Sequence, residues 1–104
     1  MTSDRLTSIL AERVMGWRAR PSRFLTGNRH WLTRWRFQPV KRLEDASRLL
    51  ERAAPQEYSL ERDHDGRFHV KVRIAGATGE ARASSQASAI SFAIARAIGI
   101  EVDK

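Results

Sequence analysis

Residues 18–42 are the part of this sequence whose residue types and spacing could do chemistry. Arginines alternate there with large aromatic side chains. Guanidinium groups contact phosphates and aromatic rings stack on bases, so this pattern is typical of proteins that bind single-stranded nucleic acid. The candidate contact residues are Arg23, Arg29, Trp31, Arg34, Trp35, Arg36, Lys41 and Arg42.

The positive charge of the chain is confined to its N-terminal two-fifths. Residues 1–42 contain ten Lys and Arg but only two acidic residues, a net charge of +8, whereas residues 43–104 have a net charge of −1. A cationic surface attracts phosphate-bearing polymers or an acidic protein partner. An arginine-rich genomic base composition is the alternative explanation, and it would carry no information about a ligand.

The tryptophans of this stretch have two interpretations. Trp17 continues an apolar helical face, and Trp31 and Trp35 could cover the open side of a small sandwich, flanked by solvated arginines. A nucleic-acid or protein interface requires instead that Trp31 and Trp35 be exposed. Under the interface interpretation we expect Arg34 and Arg36 on the surface.

Catalytic and metal-binding patterns are not found in the sequence. The three histidines have no metal-ligand spacing, there is no cysteine, and neither a glycine-rich phosphate loop nor a nucleophile elbow occurs. His64 lies between Asp63 and Asp65, but the following Gly66 makes this group a hairpin turn. His69 is expected on the solvated face of a strand. The sequence therefore predicts a protein that is not an enzyme and needs no cofactor.

The 104 residues predict one domain, with an N-terminal helix in 1–17, a basic aromatic connection in 18–42 and an α-β-β-β-α core in 43–99. No apolar run approaches the about 20 residues that a membrane span needs, and no signal peptide is evident. We therefore expect a cytoplasmic protein of the bacterial host cell with no membrane contact.

Helical periodicity marks three segments. Residues 4–16 predict an amphipathic helix that ends at Gly16, and residues 42–54 predict a second whose solvated side carries Asp45 and an i,i+4 pair of Glu44 and Arg48. Residues 86–98 predict a deeply buried helix that leaves mainly Ser88, Ser91 and Arg96 for solvent. Between the first two helices, residues 31–37 predict a short extended piece, on which Trp31, Trp35 and Phe37 share a face.

Alternation at period two marks the strands. Tyr58 and Leu60 share a face in residues 57–62, and residues 67–74 alternate apolar and basic side chains. Residues 76–79 read as a turn before a weaker strand in 80–83. We expect Val72 and Phe92 in the core between sheet and last helix. The predicted fold is α+β, a two-layer sandwich of a three-stranded antiparallel sheet covered by helices in the order α-α-β-β-β-α.

Several segments resemble the phage ABA sandwich domain family. They are residues 11–17 (Ala-Glu-Arg-Val-Met-Gly-Trp), the tryptophan-rich segment that ends at Pro39, Asp45 with Ala46, and residues 79–83 before the alanine-rich last helix. The resemblance covers nearly the whole chain and implies an α/β sandwich of phage origin. It implies no established activity and no catalytic residue.

The α-β-β-β-α order is also similar to that of double-stranded RNA-binding domains. That family contacts phosphates through a Lys-Lys-x-Ala-Lys pattern at the start of its last helix, where residues 84–88 read Ser-Ser-Gln-Ala-Ser. Because all three lysines are serines here, the resemblance is limited to topology.

These observations favour a non-enzymatic phage or prophage protein that binds nucleic acid through its basic aromatic region. Two alternatives stay open. One is a phage anti-defence inhibitor that binds a host protein complex, for example a CRISPR effector. The other is a virion or structural accessory protein.

Overall fold

Three α-helices and two three-stranded antiparallel sheets form the fold in a computed structural model, which describes residues 3–100. The helices are α1 (Ser3–Arg13), α2 (Leu43–Ala53) and α3 (Gln86–Ala97). The small sheet consists of β1 (Arg18–Ala19), β2 (Arg23–Leu25) and β3 (Trp31–Thr33), followed by a 3-10 helix (Arg34–Arg36). The main sheet consists of β4 (Glu57–Arg62), β5 (Phe68–Ile74) and β6 (Ala77–Ala83). The predicted α+β class is confirmed.

Strand β5 lies at the centre of the main sheet, and its two faces differ as the alternation of residues 67–74 predicts. Val70 and Val72 are fully buried, whereas Lys71 and Arg73 are exposed on the opposite face. Helix α3 packs across β5 and β6, and α2 packs beside α3. Phe92 is only partly buried at the margin of this core, because the inner side of α3 consists of Ile90, Ile94 and alanines.

Close approach of α3 to the sheet depends on Gly79. The sequence assigns this glycine to a turn, but the turn between β5 and β6 consists of Ala75 and Gly76, whose φ angles of 51° and 84° suit a two-residue hairpin. Gly79 instead lies buried within β6. A Cβ atom there would overlap the carbonyl oxygen of Ala93 and the amide nitrogen of Ala97. The glycine thus lets the helix backbone lie directly on the strand.

Polar side chains of α2 and α3 anchor residues 38–40. The fully buried Ser91 hydroxyl donates to the carbonyl oxygen of Pro39 at 2.7 Å, and the Ser88 hydroxyl donates to that of Val40 at 2.8 Å. Buried Asp45 accepts a hydrogen bond from the Gln38 amide at 2.9 Å. The expected solvent exposure of Ser88, Ser91 and Asp45 is therefore wrong. Each of these side chains instead forms a hydrogen bond with a backbone group of residues 38–40.

Two of the three serines in place of the lysine pattern, Ser85 and Ser88, have structural roles. Ser85 caps the N-terminus of α3, where its hydroxyl oxygen accepts a hydrogen bond from the Ser88 amide at 3.1 Å. Two of the three positions that carry lysine in the duplex-RNA-binding domains are therefore occupied here by serines that form the N-terminal cap of α3.

Residues 18–42 are more regular than the sequence predicts. They form the small sheet and the 3-10 helix rather than a basic aromatic connection with one short extended piece. Fully buried Phe24 and Phe37 pack against half-buried Trp17, with ring centroids 4.9–6.0 Å apart. This aromatic cluster belongs to the same hydrophobic core as α3 and the main sheet.

Candidate nucleic-acid interface

The small sheet has an inner and an outer face, set by the position of Phe24. Phe24 points into the core, and Ala19 and Leu32, its partners on β1 and β3, share that inner side. Alternate residues of a strand point to opposite faces, so their neighbours form the outer face. We call this outer face the cationic-aromatic face, and its residues are Arg18, Arg23, Leu25, Trp31 and Thr33.

Trp31 is the most prominent side chain of this face. It is 49% exposed, and the guanidinium carbon of Arg23 lies 3.9 Å from the centroid of its ring. Arg23 pairs with Thr33 and Leu25 pairs with Trp31, which makes Arg23 a diagonal neighbour of the ring. A cation over the ring restrains Trp31 through a cation–π contact. About half of the residue's surface stays open to solvent.

Trp35 and Arg36 form a second exposed pair in the 3-10 helix that follows β3. Trp35 is 57% exposed, and the guanidinium carbon of Arg36 lies 5.3 Å from its ring centroid. Phe37, which the sequence places on the same face, is fully buried because the 3-10 helix interrupts the strand period. Trp31 and Trp35 thus do not cover the core, whereas Trp17 does contribute to it.

Arg34 differs from the other candidate contact residues. It is half-buried, with its guanidinium carbon 4.7 Å from the ring centroid of Phe24, and its Nη2 donates to the backbone oxygen of Asp4 and to the Ser8 hydroxyl. The expected surface position of Arg34 is therefore wrong. The residue connects α1 to the inner side of the small sheet, so it has a structural role.

The remaining candidates are exposed but lie at other places. Arg29 lies in the turn between β2 and β3 with a φ of 61°, next to the first residues of β3. Lys41 and Arg42 belong to the turn that precedes α2, outside the small sheet.

Arg18 is a residue that sequence reasoning missed. Its pairing with Leu25 puts it on the cationic-aromatic face, and two-residue strands give no periodic signal from which this could be predicted.

Within residues 3–100, the ion pairs involve the main sheet and leave the small sheet without any. Arg73 pairs with Glu57 at 3.7 Å and Arg82 pairs with Asp63 at 3.8 Å, and the His69 imidazole lies 3.7 Å from the Glu80 carboxylate. His69 is half-buried in this pair rather than fully solvated. The charge of the main sheet is thus largely compensated, whereas that of the cationic-aromatic face is not.

The edge strand β4 provides the other exposed aromatic surface. Tyr58 and Leu60 are both exposed there, and partial burial raises the pKa of the Tyr58 hydroxyl above its ordinary value. Glu57 at the start of this strand is paired with Arg73. Because its charges are balanced, this surface is less suited to bind a polyanion than the cationic-aromatic face is.

The described part of the chain has neither a metal-binding cluster nor a helix that could span a membrane. No group of three or more His, Cys, Asp or Glu side chains there could hold a metal ion. The helices of residues 3–100 are also too short or too polar to cross a bilayer.

Comparison with known proteins shows a structural similarity. No protein-family model matches the sequence, and no curated protein matches it. The fold is similar to that of a phage protein from Bacillus cereus ATCC 14579, known from a 2.0 Å crystal structure, with a TM-score of 0.82. The match covers 99% of this chain and 93% of that chain at 15% sequence identity. The chain therefore has the fold of a phage protein.

Proposed function

We propose that this chain is a non-enzymatic phage or prophage protein of the phage ABA sandwich family that binds single-stranded nucleic acid in the cytoplasm of its bacterial host. The binding surface is the cationic-aromatic face, extended by Arg29 at one end and by Trp35 and Arg36 beyond β3. The structural similarity to a phage protein supports the phage origin.

One observation supports nucleic-acid binding most strongly. Trp31 is half exposed under the Arg23 guanidinium, on a face that contains no acidic residue. An exposed aromatic ring bordered by cationic side chains offers a ligand both a stacking surface and positive charge. An aromatic ring next to unpaired guanidinium groups matches the alternation of base and phosphate along a single strand.

The size of the face sets the expected number of contacts. A strand rises about 3.3 Å per residue, so the three-residue strands β2 and β3 extend about 10 Å between the turn that carries Arg29 and the 3-10 helix that carries Arg36. Phosphates of a stacked strand follow each other at about 3.4 Å along the helix axis, so two or three of them fit along the face. With Arg36 and Arg29 at its margins, about four phosphates can be neutralised, which corresponds to a log–log salt slope near −3 on single strands.

A fluorescence-anisotropy titration at two salt concentrations tests the proposal. We expect short single-stranded oligonucleotides to bind more tightly than duplexes of the same length, because only unpaired bases expose a surface for stacking. The double variant Arg23→Gln, Arg36→Gln should reduce the salt slope to about half, since two of four contacts are lost.

The matched control is the double variant Arg67→Gln, Arg73→Gln on the outer face of the main sheet. It removes the same charge from exposed positions that lack an exposed tryptophan, so we expect oligonucleotide affinity and salt slope near those of the wild type. If about 10 μM protein binds no oligonucleotide at low salt, where even non-specific contacts register, the proposal is wrong. A protein target, such as a host defence complex, then becomes the leading hypothesis.

A further inference from the structure

A groove of about 450 Å³ separates the β2–β3 turn from α2. Its apolar lining comes from Met15, Trp17 and Leu32, and residues 26–28 of the turn form one wall. Arg48 and Arg52 of α2 stand at the opposite wall. The volume lies within the range of about 300–1,000 Å³ that is usual for small-molecule sites.

The two arginines make the groove cationic. Arg48 and Arg52 are four residues apart on α2, so their side chains share a helical face, and both are exposed. The sequence predicts that Arg48 pairs with Glu44, but none of the ion pairs found within residues 3–100 involves Arg48 or Arg52. Two guanidinium groups at the same wall are therefore available to an anion.

Trp17 gives the groove a rigid aromatic wall. Its ring is held by Phe37, in an edge-on contact at 4.9 Å, and by Phe24 at 6.0 Å. The ring is half-buried, and part of it lines the groove together with Met15 and Leu32. A flat apolar wall of this kind suits a planar ring, and the two arginines suit a negative charge attached to that ring.

We propose that the groove binds one nucleotide of a single strand, with the base against Trp17 and the phosphate on Arg48 and Arg52. This inference rests on the proposed function. The wall formed by residues 26–28 connects the strands that carry Arg23 and Trp31, so the groove continues the cationic-aromatic face around the tip of the turn. A strand that crosses the face reaches the groove over this turn.

A titration followed by the indole N–H signals in two-dimensional NMR tests the groove directly. The probes are adenosine 5′-monophosphate, adenosine and inorganic phosphate, and loss of a signal in Trp17→Phe assigns the Trp17 resonance. We expect adenosine 5′-monophosphate to shift the Trp17 signal and inorganic phosphate to leave it in place. The double variant Arg48→Gln, Arg52→Gln should weaken this binding about tenfold or more, because two charged hydrogen-bond donors are lost.

The matched control is again Arg67→Gln, Arg73→Gln, which should bind adenosine 5′-monophosphate as the wild type does. The inference is overturned if the Trp17 signal stays unmoved at about 10 mM nucleotide, where even a millimolar site is filled. An equal shift in Arg48→Gln, Arg52→Gln overturns it as well.

Oligonucleotide binding separates this inference from the proposed function. If oligonucleotides bind in a way that depends on Arg23 and Arg36 while the Trp17 signal stays unmoved, the groove assignment fails and the proposed function stands. If adenosine 5′-monophosphate binds in the groove but no oligonucleotide binds, the proposed function fails and with it the assignment of the groove to a strand.

Discussion

The hydroxyl group of Ser91 helps to hold residues 38–40 in place. It lies fully buried in α3 and supplies a donor to the carbonyl oxygen of Pro39. Asp45 performs the corresponding role for the amide of Gln38. Together these side chains fix the point where the basic stretch ends and α2 begins.

At the residue scale we expect Ser91→Ala to lower the free energy of unfolding by about 1–3 kcal/mol, because a buried carbonyl oxygen loses its donor. Ser47→Ala on the exposed side of α2 is the matched control and should change stability by less than about 0.5 kcal/mol. Urea denaturation of both variants measures the difference. Equal stability of the two variants would contradict a role for Ser91 in holding residues 38–40.

Such roles could not be predicted from hydropathy. A serine or aspartate within an amphipathic helix suggests solvent exposure. The partner of Ser91, however, is Pro39, about fifty residues away in the sequence, and the partner of Asp45 is Gln38, which precedes α2. Arg34 illustrates the same difficulty, since its type suggests a surface position and its partners lie on α1.

At the scale of elements, the contact between α3 and β6 depends on the missing side chain of Gly79. We expect Gly79→Ala to cost about 1–3 kcal/mol of stability, because the added methyl group meets helix backbone, which cannot rotate away. Gly27→Ala is the matched control, since open space surrounds Gly27 and its φ is not in the left-handed region. A thermal unfolding midpoint for Gly79→Ala as high as that of Gly27→Ala would show that α3 does not lie on β6 in this way.

The success of the sequence-based predictions follows the length of each element. The bounds of β4 are as predicted, and β5 begins one residue later than predicted. The predicted bounds of α1, α2 and α3 differ from the observed ones by at most a few residues, because each helix repeats its period several times. Strand β6 begins at Ala77, three residues earlier than predicted. The strands β1, β2 and β3 have only two or three residues, too few to establish a period. Their sheet, and with it the cationic-aromatic face, emerges only from the pairing of the strands.

At the scale of the whole molecule, the division of charge coincides with the division into two sheets. The ion pairs found within residues 3–100 compensate the main sheet, whereas the small sheet keeps its arginines unpaired and two tryptophans exposed on or beside it. The sequence could predict that the charge lies in residues 1–42. It could not predict which arginines remain available, because that depends on which of them the core holds in place.

The affinity of Trp31→Ala for a single-stranded oligonucleotide tests the central claim most directly. At a fixed salt concentration we expect a loss of about 1–3 kcal/mol in binding, about 5- to 150-fold, because one base loses its stacking surface. Tyr58→Ala removes an exposed aromatic ring from the main sheet and should bind within about twofold of the wild type. If folded Trp31→Ala binds as tightly as Tyr58→Ala, the cationic-aromatic face is not the nucleic-acid interface.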